Sequence, residues 1–197
     1  PSLPSALALG TANRPELALR AGTLTGALLA ELGIDLDFAP VADLALSAED
    51  NAIGTRSFGP DPDRVAIHAG AFLDGLESRG VVGSVKHFPG LGGALADSHA
   101  TLPVIPLGRT DLEAGELAVF RALLPRASSA MISHGYYPHL TTRGAHPATL
   151  SVEVSTVLLR EELGFTGAAF SDDLVMGALA TEEIGTAAVR ALGAGSD

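Results

Sequence analysis

Residues 164–174 read GFTGAAFSDDL, and this stretch decides the fold class. Its first glycine follows a helical pattern over 151–163, and glycine is the residue type that most often ends a helix. The short apolar run at 168–171 predicts a buried strand, and two carboxylates, Asp172 and Asp173, follow it directly. A helix, a glycine and a buried strand that ends in charge form one unit of an α/β fold.

The same unit recurs along the chain. Further strands are predicted at 81–88 and 130–133, and residues 34–44 are predicted as a strand that runs into a loop. Further helices are predicted at 15–33, 61–79, 110–124 and 181–192. The helix at 110–124 begins with a predicted capping box, in which Thr110 is the cap and Glu113 lies three residues later. Strands that alternate with helices predict parallel βαβ units, so the predicted fold class is α/β.

The composition excludes several classes of protein. The chain has 197 residues and a net charge of −11, with 12 Lys and Arg against 23 Asp and Glu, so we predict no nucleic-acid partner. It contains no cysteine, which excludes a disulfide scaffold, a thiolate zinc site and a cysteine nucleophile. No apolar run approaches the roughly 20 residues of a membrane helix, so we predict no membrane segment. The sequence predicts neither localisation nor oligomeric state.

Ionisable residues follow directly on four of the predicted strands. They are Asp43, Lys86, His87, His134, Asp172 and Asp173. In an α/β barrel or a doubly wound sheet the carboxyl ends of the strands carry the active site, so these residues are candidates for one common site. The alternative is that polar residues simply resume wherever a strand ends.

Lys86 is the only lysine of the chain, since all other basic residues are arginines. Its ammonium offers three hydrogen-bond donors to the hydroxyls or carboxylates of a ligand. In a regular strand His87 would point the opposite way from Lys86. A cis bond between Phe88 and Pro89 is a predicted source of irregularity here. The alternative is a surface lysine beside a core histidine.

Two glycine-containing loops add further candidates. Asp97 and His99 lie two residues apart, and a carboxylate beside an imidazole forms a general acid or base. The same pair is compatible with a loop turn or, together with other histidines and aspartates, with a metal-dependent hydrolase. Arg56, in the loop at 51–59, offers a planar fork to substrate hydroxyls or to a carboxylate. Its alternative role is to tie that loop to the fold.

Six stretches keep a recognisable order and spacing over nearly the whole chain. They are DFAPVADL (37–44), IGTRSFG (53–59), KHFPG (86–90), ADSHATLPV (96–104), PATLS (147–151) and LREELGFTGAAFSDDLVMGAL (159–179). Together they resemble the family 3 glycoside hydrolases, and within that family the bacterial β-N-acetylhexosaminidase branch. The resemblance implies a (β/α)8 TIM-type barrel as the complete catalytic domain.

The resemblance also implies a reaction, which is the hydrolysis of terminal non-reducing β-linked N-acetylglucosamine with retention. The expected substrates are peptidoglycan fragments or chitooligosaccharides. The family's nucleophile falls on Asp172, which would form a covalent glycosyl-enzyme. The acid/base of the hexosaminidase branch falls on His99 paired with Asp97. The β-glucosidase-like branch lacks this Asp-Ser-His element, so its presence favours N-acetylglucosaminides.

The family's sugar-binding residues fall on Arg56, Lys86 and His87. His134 ends a predicted strand that faces the pocket, and it is a further candidate for a substrate contact or a structural one. The resemblance thus implies a carbohydrate partner, and we predict neither a metal nor a cofactor. A β-glucosidase-type or phosphorolytic relative and an inactive sugar-binding barrel fragment are the alternatives within this fold.

The sequence departs from the family at two points. Leu91 stands where the family often has a histidine, and Gly93 where it has an aspartate or small polar residue, which weakens the expected anchoring of the loop. A (β/α)8 barrel takes about 250 residues, so we predict that residues 1–197 form a single partial barrel domain, truncated at both ends and without a second domain. We expect unpaired strand edges to make this chain poorly stable and weakly active.

Overall fold

The computed structural model describes residues 3–46, 53–142 and 144–197. Within them four parallel strands lie side by side in their order along the chain. The strands are β1 (Leu36–Asp37), β2 (Val82–Phe88), β3 (Ser129–Ile132) and β4 (Ala168–Ser171). In the described residues the sheet is open, and its parallel strands alternate with helices, as an incomplete barrel requires. The structure therefore confirms the predicted α/β class.

Helices precede the first strand, connect successive strands and follow the last one. They are α1 (Ala6–Ala12), α2 (Pro15–Glu31), α3 (Pro62–Glu77), α4 (Arg109–Ala114), α5 (Glu116–Leu123) and α6 (Ile184–Ala194). A helix with π-type hydrogen bonding covers Glu153–Glu162, and short 3₁₀ turns cover Gly54–Arg56, Ala148–Leu150 and Gly177–Leu179. α1 was not predicted from the sequence.

The first predicted strand is much shorter than the sequence suggested. β1 ends at Asp37, and the chain continues as an irregular segment in which Val41 bridges to Lys86. Pro40 lies between them, and a proline has no N–H to donate to a strand ladder. The backbone carbonyl of Pro40 still accepts from the Lys86 N–H, at 3.1 Å, so this segment stays beside β2.

The predicted capping box is wrong. Gly108 is the N-cap residue of α4 and makes no side-chain cap, so Thr110 lies inside the helix. Glu113 instead accepts a hydrogen bond from Arg109 Nε at 2.7 Å. The predicted helix at 110–124 is also divided, because Gly115 has φ −111° and ψ −103° and separates α4 from α5.

Small residues let α2 and α3 approach closely. The buried face of α2 consists of Ala18, Ala21, Gly22 and Gly26, whereas several of its leucines are exposed. A Cβ on Gly75 of α3 would lie 2.2 Å from the carbonyl oxygen of Leu19 and 2.7 Å from the backbone nitrogen of Thr23. Backbone atoms thus occupy the space that a side chain would need.

The sheet and the helices enclose the core. α3 and α5 pack against β2, and the rings of Phe88 and Phe120 meet edge to face with centroids 5.3 Å apart.

In the part of the chain that the structure describes, no helix combines the length and the apolar character needed to cross a membrane.

We predict that Gly75→Ala destabilises the protein. Alanine improves helix propensity by about 1 kcal/mol, but overpacking against a backbone costs about 1–3 kcal/mol and forces the two helices apart. Gly193→Ala in α6 is the matched control, because a Cβ there meets no atom within 4 Å. Chemical denaturation should show a loss of stability for Gly75→Ala and none for Gly193→Ala. Equal stability changes in both variants would contradict the packing argument.

Candidate active site

A pocket of about 510 Å³ opens at the carboxyl ends of the strands. Five of the predicted site residues line it, namely Arg56, Lys86, His87, His99 and Asp172. They come from two strand ends and two loops that are far apart in the sequence. The expectation that ionisable residues at strand ends meet in one place holds for Lys86, His87, Asp172 and Asp173, which all line the pocket.

Asp172 lies just beyond the last residue of β4. Its backbone N–H donates to the carbonyl of Ile132 at 3.0 Å, which continues the pairing with β3 by one residue. Its Oδ1 accepts from the N–H of Asp173 at 2.9 Å, and Asp173 Oδ1 accepts from Val175 N at 3.1 Å. Asp173 thus caps the following turn. Both carboxylates line the pocket, whereas the alternation of a regular strand would direct successive side chains to opposite faces.

The end of β2 is irregular, and this irregularity brings neighbouring side chains to one side. The register with β3 shifts between Lys86 and Phe88, and the Lys86–His87 peptide is cis. The Phe88–Pro89 peptide is also cis, as predicted. Lys86 and His87 consequently both line the pocket, although regular strand alternation would separate them.

Lys86 stands among groups of both charge signs. Burial, followed by the positive charge of Arg56, lowers the pKa of Lys86. The carboxylates of Asp172, Asp37 and Asp43 act in the opposite direction and favour its charged form. The only lysine of the chain therefore lies in the field of the candidate nucleophile.

Asp43 fixes the position of the His87 ring through hydrogen bonds. Its carboxylate is fully buried and accepts from His87 Nδ1 at 2.6 Å and from the His87 backbone N–H at 3.3 Å. It also accepts from the backbone N–H of Leu91 at 2.7 Å. Nδ1 of His87 therefore carries a proton, and the ring orientation is fixed. Sequence reasoning marked Asp43 as a strand-end residue but assigned it no partner.

The structure brings Asp97 and His99 together as predicted. Asp97 Oδ1 accepts from His99 Nδ1 at 2.7 Å and from the His99 backbone N–H at 2.9 Å. Burial raises the pKa of Asp97, but the hydrogen bonds from His99 outweigh it, so that this pKa is lowered overall. The His99 side chain is 62% exposed, which places the pair at the mouth of the pocket.

Both ends of the loop that carries His99 are held through backbone groups. At one end the backbone N–H of Leu91 donates to Asp43, so the loop is anchored here although the side chain is a leucine. At the other end the carbonyls of Ser98 and His99 accept from the N–H groups of Ala178 and Gly177, each at 3.1 Å. The loop is thereby fastened to the segment that follows Asp172.

His134 does not reach the pocket. It is fully buried, with Nε2 2.9 Å from the carbonyl oxygen of Asp173 and Nδ1 2.9 Å from Thr149 Oγ1. A carbonyl oxygen only accepts, so Nε2 carries the proton, while burial lowers the pKa of His134 and favours a neutral ring. His134 therefore makes a structural contact that holds the turn after Asp172, and not the substrate contact that was predicted.

Arg56 lies in the 3₁₀ turn Gly54–Arg56 and lines the pocket. The first residues of its predicted loop, Asn51 and Ala52, lie outside the described residues. Among the residues that are described, no group of three or more His, Asp and Glu is arranged to hold a metal ion.

Sequence reasoning missed Glu116, a fully buried carboxyl below the pocket. Its Oε1 accepts from Gly92 N at 2.7 Å and its Oε2 from Leu44 N at 3.2 Å. A signal was present in the sequence, because Glu116 falls at helical spacing between Leu112 and Phe120, both of which are buried. A carboxyl group on an apolar helix face needs polar partners, and here they are the backbone N–H groups of Gly92 and Leu44.

Comparison with known proteins gives consistent matches. The glycosyl hydrolase family 3 N-terminal domain matches residues 1–197. A beta-hexosaminidase of Vibrio cholerae is 41% identical over 166 residues, covering 83% of this chain and 48% of the relative. A beta-hexosaminidase of Pseudomonas aeruginosa is 38% identical over 188 residues, covering 94% of this chain and 55% of the relative. The chain thus spans about half the length of these curated relatives.

Solved structures give the same result. The glycoside hydrolase family 3 beta-N-acetylglucosaminidase from Paenibacillus sp. str. FPU-7 superimposes with a TM-score of 0.93 at 38% identity, over 98% of this chain and 36% of that structure. The chain's own open sheet therefore follows the backbone of a larger barrel enzyme.

We predict that His134→Gln changes how stability depends on pH. Since burial holds the pKa of His134 below its ordinary value in the folded state, the unfolded chain takes up the proton first as the pH falls. The wild type should lose up to about 1.4 kcal/mol per pH unit from this group below about pH 6.5, and His134→Gln should not. Urea denaturation between neutral and mildly acid pH measures this. His139→Gln, at an exposed position, is the control and should keep the wild-type dependence of stability on pH. The assignment would be refuted if His134→Gln also kept that dependence.

Proposed function

We propose that this chain, which belongs to glycosyl hydrolase family 3, carries the catalytic groups that hydrolyse terminal β-linked N-acetylglucosamine from the non-reducing end of glycans. One observation carries the proposal: the hydrogen-bonded pair of Asp97 and His99 stands at the mouth of the pocket that Asp172 lines. The relatives named beta-hexosaminidase and beta-N-acetylglucosaminidase support this choice of substrate class. Peptidoglycan fragments and chitooligosaccharides are the proposed natural substrates.

In the first step the Asp172 carboxylate attacks the anomeric carbon of the sugar. The bond to the leaving oxygen breaks, and the protonated His99 ring gives its Nε2 proton to that oxygen. Asp97 accepts the Nδ1–H of His99, which leaves Nε2 as the nitrogen that exchanges the proton. The products are a covalent glycosyl-enzyme on Asp172, a neutral His99 and the free aglycone.

In the second step water replaces Asp172 at the anomeric carbon. Nε2 of His99 takes a proton from the water as its oxygen bonds to carbon, and Asp172 leaves as a carboxylate. Two displacements at one carbon give overall retention of configuration. The exposure of His99 at the pocket mouth suits this role, since water and aglycone must both reach it.

The cationic residues of the pocket hold the sugar ring. Lys86 and Arg56 offer several N–H donors to hydroxyl groups, and the ring of His87 is fixed for the same purpose by Asp43. We also propose that residues 1–197 form one part of a single catalytic barrel domain.

We predict that Asp172→Ala abolishes formation of the glycosyl-enzyme. Turnover of an aryl N-acetylglucosaminide should fall by about 10⁴-fold or more, because no other group replaces the nucleophile. Intact-mass spectrometry with a slow fluorinated donor should detect the covalent adduct in wild-type protein and none in this variant.

Two further variants make this test specific. Asp63→Ala, at an exposed position in the first turn of α3, should retain the adduct. Asp173→Asn should also form it, since Asp173 is assigned to the turn and not to the chemistry. An adduct in Asp172→Ala but none in Asp173→Asn would reverse the assignment of the two carboxylates.

We predict that the loss in His99→Ala depends on the leaving group. A dinitrophenyl group departs without a proton, so kcat/KM for glycosyl-enzyme formation should change little. A phenyl leaving group needs the proton, and its kcat/KM should fall by about 10²–10⁴-fold. His139→Ala serves as the control on an exposed histidine. Equal losses on both substrates would argue against His99 as the acid.

A further inference from the structure

Two buried carboxyl groups hold the base of the loop that carries His99. The backbone N–H of Leu91 donates to Asp43 Oδ1 at 2.7 Å, and the next N–H, that of Gly92, donates to Glu116 Oε1 at 2.7 Å. Both carboxyl groups have no exposed surface. Two successive amides of the loop are therefore fixed by two different side chains from separate parts of the fold.

Glu116 also binds the segment that follows β1. Its Oε2 accepts from the Leu44 N–H at 3.2 Å, one residue beyond Asp43. Burial, and then the nearby charge of Asp43, raises the pKa of Glu116 well above its ordinary value and favours its protonated form. The two carboxyl groups can then lie close together with a single negative charge between them.

The loop backbone lies directly against the Glu116 side chain. A Cβ on Gly92 would stand 2.4 Å from Glu116 Oε1 and 2.0 Å from the carbonyl oxygen of Leu44. A Cβ on Gly90 would stand 2.4 Å from the Cβ and Oε2 of Glu116, and Gly90 has φ +125°. Glycines at these two positions allow the main chain to approach the carboxyl group, so a change in its size or hydrogen bonding must move the loop.

The far end of the same loop is held independently. The N–H groups of Ala178 and Gly177 donate to the carbonyls of Ser98 and His99, each at 3.1 Å, so that only residues 93–97 lie between the two anchored ends. This span contains Asp97, the partner of His99. A displacement at Gly92 is thus transmitted over a short, doubly tethered segment to the pair at the pocket mouth.

We propose that Glu116 is a positioning residue for the proton-transfer step, because it sets where the loop places Asp97 and His99. The inference rests on the proposed function, which assigns His99 as the acid/base. Glu116 itself lies below the loop and does not line the pocket, so it acts through the backbone of Gly92 and not on the substrate.

The test compares Glu116→Leu and Glu116→Gln in the intact protein with Glu113→Gln, an exposed glutamate in α4 that pairs with Arg109. In Glu116→Leu, kcat/KM should fall by about 10–100-fold for a phenyl N-acetylglucosaminide and by less than about threefold for the dinitrophenyl one. Glutamine should restore part of the loss, since its amide oxygen can still accept from Gly92. Glu113→Gln should match wild type on both substrates.

Hydrogen exchange measures the position of the loop without using activity. The amides of residues 91–99 should exchange faster in both Glu116 variants, while those of β3 keep their wild-type rates. A Glu116→Leu protein that fails to fold would show fast exchange in β3 as well, and Glu116→Gln then decides the question.

Two results would overturn the proposal. One is an equal loss on both leaving groups, which indicates a structural role alone, and the other is unchanged exchange of residues 91–99 in a folded variant. If the wild-type protein turns over neither substrate, the proposed function fails instead. In that case the exchange measurement still decides whether Glu116 positions the loop.

Discussion

The buried carboxylate of Asp43 is the constraint on which the site depends. A charge without contact to water must be satisfied by hydrogen-bond donors, and Asp43 obtains them from the ring and backbone of His87 and from the backbone of Leu91. These donors lie just where the chain departs from regular strand geometry after Lys86. The same departure brings two basic side chains into the pocket and starts the loop that leads to His99.

The pocket can form because the strands follow one another in the sheet in the same order as in the sequence. The strand ends then lie along one edge of the sheet, where Lys86 and His87 of β2 and the carboxylates that follow β4 line the same pocket. Burial and the charge of Arg56 lower the pKa of Lys86, whereas the charge of Asp172 raises it. The charges that act on Lys86 therefore come from several separate parts of the chain.

Much of this arrangement is predictable from the sequence, because buried parallel strands and their helices have clear patterns. The strand at 168–171 and its terminal carboxylates are found where expected, as is the contact between Asp97 and His99. Long-range partners are harder to foresee. The role of Glu116 depends on loop amides 24 residues away, and that of His134 on a carbonyl 39 residues away, and neither separation has a local sequence signature.

The attachment of the catalytic loop through main-chain atoms has a consequence for how this protein can change. The anchors use the amides of Leu91 and Gly92 and the carbonyls of Ser98 and His99, so they do not depend on the exposed side chains of the span, although Ala94 is buried in the core. Leu95, at the centre of that span, is 66% exposed. Mutational drift at such a position can alter what the loop presents to an approaching glycan while the proton-transferring pair keeps its place.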